Sequence, residues 1–104
     1  MEKKIIWSYD ALEQLEDIHF YIYFESKSIQ IADKVIESIF DSTEILKTNP
    51  ETYKLDKQKI NNDGSFRVYL IYNYSISYQI TKNTILILRV RHNARKSKKL
   101  PWKT

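Results

Sequence analysis

Residues 65–92 read SFRVYLIYNYSISYQITKNTILILRVRH, and the period of this stretch decides the fold. Apolar and polar side chains alternate in three runs, Ser65–Tyr72, Tyr74–Thr81 and Thr84–His92. A period of two is the mark of strands, and the separators, Asn73 and then Lys82-Asn83, are short enough for hairpins. The stretch predicts a three-stranded antiparallel meander. Alternation also assigns faces. Phe66, Val68, Leu70 and Tyr72 share one side of the first strand, against Arg67, Tyr69 and Ile71. The middle strand sets Tyr74, Ile76, Tyr78 and Ile80 against Ser75, Ser77 and Gln79. In the last, Leu86, Leu88, Val90 and His92 oppose Ile85, Ile87, Arg89 and Arg91. With the all-apolar sides packed on helices, the other side shows Arg67, Tyr69, Ser77, Gln79, Arg89 and Arg91 to solvent.

Upstream the period changes. From Tyr9 to about Glu25 the apolar positions Ala11, Leu12, Leu15, Ile18, Tyr21 and Ile22 step by three and four, which is helical. Ser8 stands at the N-cap and Asp10 in the first turn. Ser28 opens a second helix, whose apolar positions Ile29, Ala32, Val35, Ile36, Ile39, Phe40 and Leu46 carry it to about Lys47. Thr48-Asn49-Pro50 ends it, because the residue before a proline avoids the helical region. So short a link between two helices predicts an antiparallel hairpin. The apolar KKIIW at residues 3–7 is a strand that could join a sheet edge, and residues 51–64 are polar and irregular. The expected fold is α+β: an N-terminal strand and a helix hairpin packed on a C-terminal meander.

The chain has 104 residues, enough for a single domain, and its 42% hydrophobic content supports one core. There is no cysteine, which removes disulfides and thiolate chemistry. One glycine among 104 residues argues against a glycine-rich phosphate loop. No metal or cofactor is expected. No run approaches the roughly 20 apolar residues of a membrane helix, and the N-terminus does not resemble a signal peptide, so a cytoplasmic protein is expected.

Charge is distributed unevenly. Seventeen Lys and Arg against 13 Asp and Glu give a net charge of +4. Arg89, Arg91, Arg95, Lys96, Lys98, Lys99 and Lys103 fall within the last sixteen residues, which hold no acidic group. A basic tail over residues 93–104 thus continues the last strand. Such segregation suits a charged partner surface. Cations bind phosphates, and a metal-free nuclease needs cations for the developing charge and a general acid–base group. Arg67, Arg89 and Arg91 are the candidate cations and His92 the candidate acid–base group. His19, near the apolar stripe of the first helix, reads as structural.

The order of elements, together with NDGSFRVYLIYNYSISYQI and ILRVRHNARK, resembles the RelE/ParE superfamily of toxins from type II toxin–antitoxin and plasmid-stabilisation systems. The most specific parts are Gly64-x-Phe66-Arg67 and the strand ending in His92 with Arg95 close behind. RelE-like members cut mRNA on the ribosome without metal, whereas ParE-like members inhibit DNA gyrase by binding it. Carried over, Arg67, Arg89, Arg91 and His92 would be catalytic in a nuclease. Arg67, Tyr69, Arg91, Arg95, Lys96, Lys98 and Lys99 would contact a target or an antitoxin. No Tyr or His follows His92, which favours the ParE side. The resemblance implies a cognate antitoxin, with operator DNA bound only through it, and no membrane partner. A ribosome-dependent endoribonuclease and a non-toxic basic nucleic-acid-binding module are the alternatives.

Overall fold

A computed structural model describes residues 2–93. Its elements run β1 (Lys4–Trp7), α1 (Tyr9–Ser26), α2 (Ile29–Ser42), a 3₁₀ turn (Glu44–Lys47), β2 (Lys54–Leu55), β3 (Phe66–Ile71), β4 (Tyr74–Ile80) and β5 (Thr84–His92). The five strands form one sheet in the order β1-β5-β4-β3-β2. β1 runs parallel to β5, and the other neighbours are antiparallel. The fold is the expected α+β arrangement with one added strand, because β2 lies in the stretch read as irregular.

Both helices begin at serine caps. The Ser8 side chain accepts from the Ala11 N–H at 3.0 Å and also donates to the Leu88 carbonyl at 3.0 Å, so one hydroxyl starts α1 and ties it to β5. Ser28 accepts from the Ile31 N–H at 3.2 Å. α1 stops where Lys27 turns left-handed, with φ 61°. α2 stops at Ser42 rather than near Lys47. There the Ser42 hydroxyl donates to the Ile39 carbonyl at 2.6 Å and the Thr43 hydroxyl to the Phe40 carbonyl at 2.8 Å. These side chains compete with the helical ladder, and the remaining apolar residue, Leu46, is buried from the 3₁₀ turn instead.

The helix pair covers one face of the sheet. Ala11, Leu15, Ile18 and Ile22 of α1 and Ala32, Val35 and Ile39 of α2 meet Tyr69, Tyr74, Ile76, Tyr78, Ile85, Ile87 and Val90. Full burial of such aliphatic side chains stabilises by about 1.5–3 kcal/mol each. His19 joins the two helices through Asp33 at 2.7 Å. Among the described residues no helix is long and apolar enough to cross a membrane.

Two of the expected faces are corrected. In β3 the inward side is Arg67, Tyr69 and Ile71, and the outward side is Phe66, Val68 and Leu70. The cause is the length of the turn. Ile71 pairs with Tyr74, so the hairpin loop is Tyr72-Asn73 and not Asn73 alone. One residue of slip exchanges every side chain between faces. In β5 the reading holds for Val90, His92, Arg89 and Arg91 and is reversed for 85–88. Ser77 pairs with Arg89 and Tyr78 with Ile87, which leaves Leu88 as the extra residue of a β-bulge. Ile85 and Ile87 therefore face the helices, as Val90 does.

Candidate functional site

The face of the sheet away from the helices is an open trough of about 1000 Å³. Its floor is made by β3, β4 and β5. The pairings place Leu70, Ser75 and Arg91 in one row across the strands and Val68, Ser77 and Arg89 in the next. β2 and the segment that follows it form the opposite wall, with Lys54, Lys57 and Lys59. The bulge at Leu88 brings both Arg89 and Arg91 to this face while keeping Ile85 and Ile87 in the core.

Five cations and one carboxylate, Asp56, line the trough. The Asp56 carboxylate already accepts from the Gln58 N–H at 3.0 Å. Among the described residues the ion pairs are His19–Asp33 and Lys47–Glu44, so none of the five cations is paired. Lys59 lies 4.3 Å from the centre of the Phe66 ring and covers it. The arrangement can hold an anion against a partly apolar floor, with two serine hydroxyls free to donate or accept.

Arg67 does not line this trough, and Tyr69 borders it while its ring and hydroxyl are buried on the helix side. Arg67 lies on the helix side, where its Nε donates to the Gly64 carbonyl at 3.1 Å. Its Nη1 donates to the carbonyls of Tyr53 at 2.9 Å and Glu51 at 3.3 Å. The guanidinium thus pins residues 51–64 to the sheet. Gly64 offers its carbonyl from a backbone φ of +100°, a conformation that glycine adopts without a Cβ clash. Asn62 completes the turn by accepting from the Gly64 and Phe66 N–H groups at 2.9 and 3.2 Å.

Tyr69 is 6% exposed. Its ring stacks on Tyr53 with centroids 4.2 Å apart, and its hydroxyl bonds the Ser42 hydroxyl at 2.8 Å. Burial pushes the Tyr69 hydroxyl up to about 12, with the Ser42 contact opposing the shift. Tyr78, fully buried, donates to the Pro50 carbonyl at 2.7 Å. Burial raises it to about 12 as well, against the nearby Arg67 charge.

His92 ends β5 on the helix side, exposed, with its ring 5.2 Å from that of Tyr74 and 6.2 Å from that of Tyr21. Arg67, Arg89, Arg91 and His92 therefore do not converge on one point: Arg89 and Arg91 stand on the open face, His92 borders the trough from the end of β5, and Arg67 lies apart on the helix side. Ser77 lies on the trough floor as expected, and Gln79 sits one row further on, between Phe66 and Leu86. Arg95, Lys96, Lys98 and Lys99, and the tail they belong to, lie outside the described residues. Sequence reasoning missed Lys54, Lys57, Lys59, Val68 and Leu70. The lysines at every second or third position of KLDKQK were the available signal, and a two-residue turn would have turned Val68 and Leu70 outward.

No curated protein matches the sequence. A solved structure described as the chromosomal ParDE TA system from P. aeruginosa is similar in fold, with a TM-score of 0.73 and 15% sequence identity. That likeness covers 88% of this chain and 96% of the other. The family model for the ParE toxin of the type II toxin–antitoxin system parDE matches residues 5–97. The chain belongs to the ParE toxin family, and it is a type II toxin with a cognate antitoxin.

Proposed function

We infer that the protein inhibits growth by binding DNA gyrase, with no catalysis of its own, and that the trough is its contact face. The separation of the arginines carries this reading. A metal-independent nuclease needs its cations and its acid–base group around one phosphate. Here Arg67 lies across the sheet from Arg89 and Arg91, and three main-chain carbonyls hold it there. Five unpaired cations over an apolar floor suit an acidic protein surface instead. Arg89 and Arg91 are the contact residues on the described part of the chain, and Arg95, Lys96, Lys98 and Lys99 extend the same charge.

The test is induction in a bacterial host, with plasmid supercoiling and primer-extension mapping of transcripts measured in the same cells. Changed supercoiling or broken DNA with intact transcripts is the expected result, lost in Arg89→Glu/Arg91→Glu and kept in Lys34→Glu. Cuts within translated codons would instead assign a ribonuclease. Unaffected growth would remove both readings.

A further inference from the structure

The rows of the trough repeat. Leu70–Ser75–Arg91 and Val68–Ser77–Arg89 are successive same-face rungs of one sheet, each running from apolar to hydroxyl to cation. Residues two apart on a strand are roughly 6.8 Å apart along it. An extended chain lying along β4 presents its own same-face side chains at that same interval. The floor beneath it is open because β4 contributes only serines there. The width also selects an extended chain. From β3 to β5 is two inter-strand spacings, about 9.6 Å, which fits one strand-like segment better than a helix of about 10–12 Å diameter.

The chemistry selects carboxylates over a nucleic-acid backbone. Unpaired bases need ring faces to stack on. The aromatic rings that border the trough are already engaged: Phe66 is covered by Lys59, Tyr69 is stacked on Tyr53, and the His92 ring lies against Tyr74. Val68, Leu70 and Leu88 offer aliphatic contact instead. On the reading that the trough is a partner-binding face, we propose that it receives an extended segment of the cognate antitoxin carrying acidic side chains at positions i and i+2. Arg89 and Arg91 pair with the two carboxylates, and Ser75 and Ser77 bond the segment's main chain. Lys54, Lys57 and Lys59 hold its other flank. The antitoxin is the occupant because membership of this family gives the chain such a partner, and a neutralising partner has to cover the surface that carries the unpaired charge.

Two fluorescein-labelled synthetic peptides of identical composition test this by anisotropy. One alternates Glu with Thr, and the other groups the same Glu residues in adjacent pairs. The alternating peptide is expected to bind free toxin several-fold more tightly than its isomer. Binding falls by roughly ten-fold or more in Arg89→Glu/Arg91→Glu and is unchanged in Lys34→Glu, a reversal on the far helix. The peptide is excluded from the purified toxin–antitoxin complex. Equal affinity of the two isomers, or undiminished binding by the double variant, overturns the proposal. So does tighter binding of an oligothymidylate probe at the same arginines. Full peptide binding to the purified complex overturns the assignment to the antitoxin. Growth and gyrase enter none of these readouts, so this proposal and the gyrase reading fail separately.

Discussion

On the helix-covered face of the sheet, Arg67 ends in three main-chain carbonyls. On the open face, Arg89 and Arg91 end in solvent, and no carboxylate of the described residues answers them. The aliphatic residues divide the same way. Ile76 is fully buried, whereas Leu70, one strand over on the other face, is 64% exposed. The comparison teaches that residue type alone does not mark function. An arginine whose Nε and Nη1 donate to main-chain carbonyls holds the fold, and one left unpaired beside exposed leucine and serine belongs to a surface awaiting a partner.

The contrast breaks first at the aliphatic pair. Ile76→Ala is expected to lower stability by about 2–5 kcal/mol in denaturant unfolding, since it empties a fully packed site. Leu70→Ala is expected to stay within about 0.5 kcal/mol. A large loss in Leu70→Ala would mean that the open face supports the fold. The arginines give the next largest effect. Arg67→Ala is expected to cost about 1–3 kcal/mol, because it orphans carbonyls that hold residues 51–64, while Arg89→Ala leaves the unfolding midpoint nearly unmoved. Equal losses in the two variants would erase the distinction between the faces.

The smallest effect sharpens the inner face. Burial raises Tyr69, Tyr74 and Tyr78 from the ordinary 10.0 to about 12. A raised value means that the folded state holds the proton more tightly. Stability from these groups is complete below about pH 10 and is lost as pH climbs from there through about 12. The unfolding midpoint is expected to fall across that window. The Tyr74 hydroxyl is buried without a hydrogen-bond partner among the described residues. Tyr74→Phe is therefore expected to be neutral or stabilising by up to about 1 kcal/mol at pH 7, and to make the alkaline decline shallower. A destabilised Tyr74→Phe protein would show that the hydroxyl has a partner after all.

Element types and the helix hairpin were legible because their periods are strong and their caps are serines at the expected places. The face assignments were legible only as far as the turns were. Tyr72 sits at φ 53°, a left-handed position where a bulky residue is rare, so nothing in YNY marks a two-residue turn. That single residue moved Arg67 and Tyr69 onto the wrong side. The bulge at Leu88 left no trace either, since ILILRV reads as uninterrupted alternation with apolar residues on both parities. β2 was too short to show a period. Arg67 and Tyr69 were misread for a further reason. Polar tips argue for solvent until their partners are known, and the partners, Gly64, Glu51, Tyr53 and Ser42, come from distant or irregular parts of the chain.

The parallel pairing of β1 with β5, Lys4 beside Thr84, has a consequence for the order of folding. The first strand has no neighbour until the last one has been made. Closing so long a loop is entropically slow, and pairings of high sequence separation form late. A nascent chain halted before β5 has neither a completed sheet nor the arginine wall. The strand that completes the sheet and the strand that supplies both open-face arginines are thus the same one.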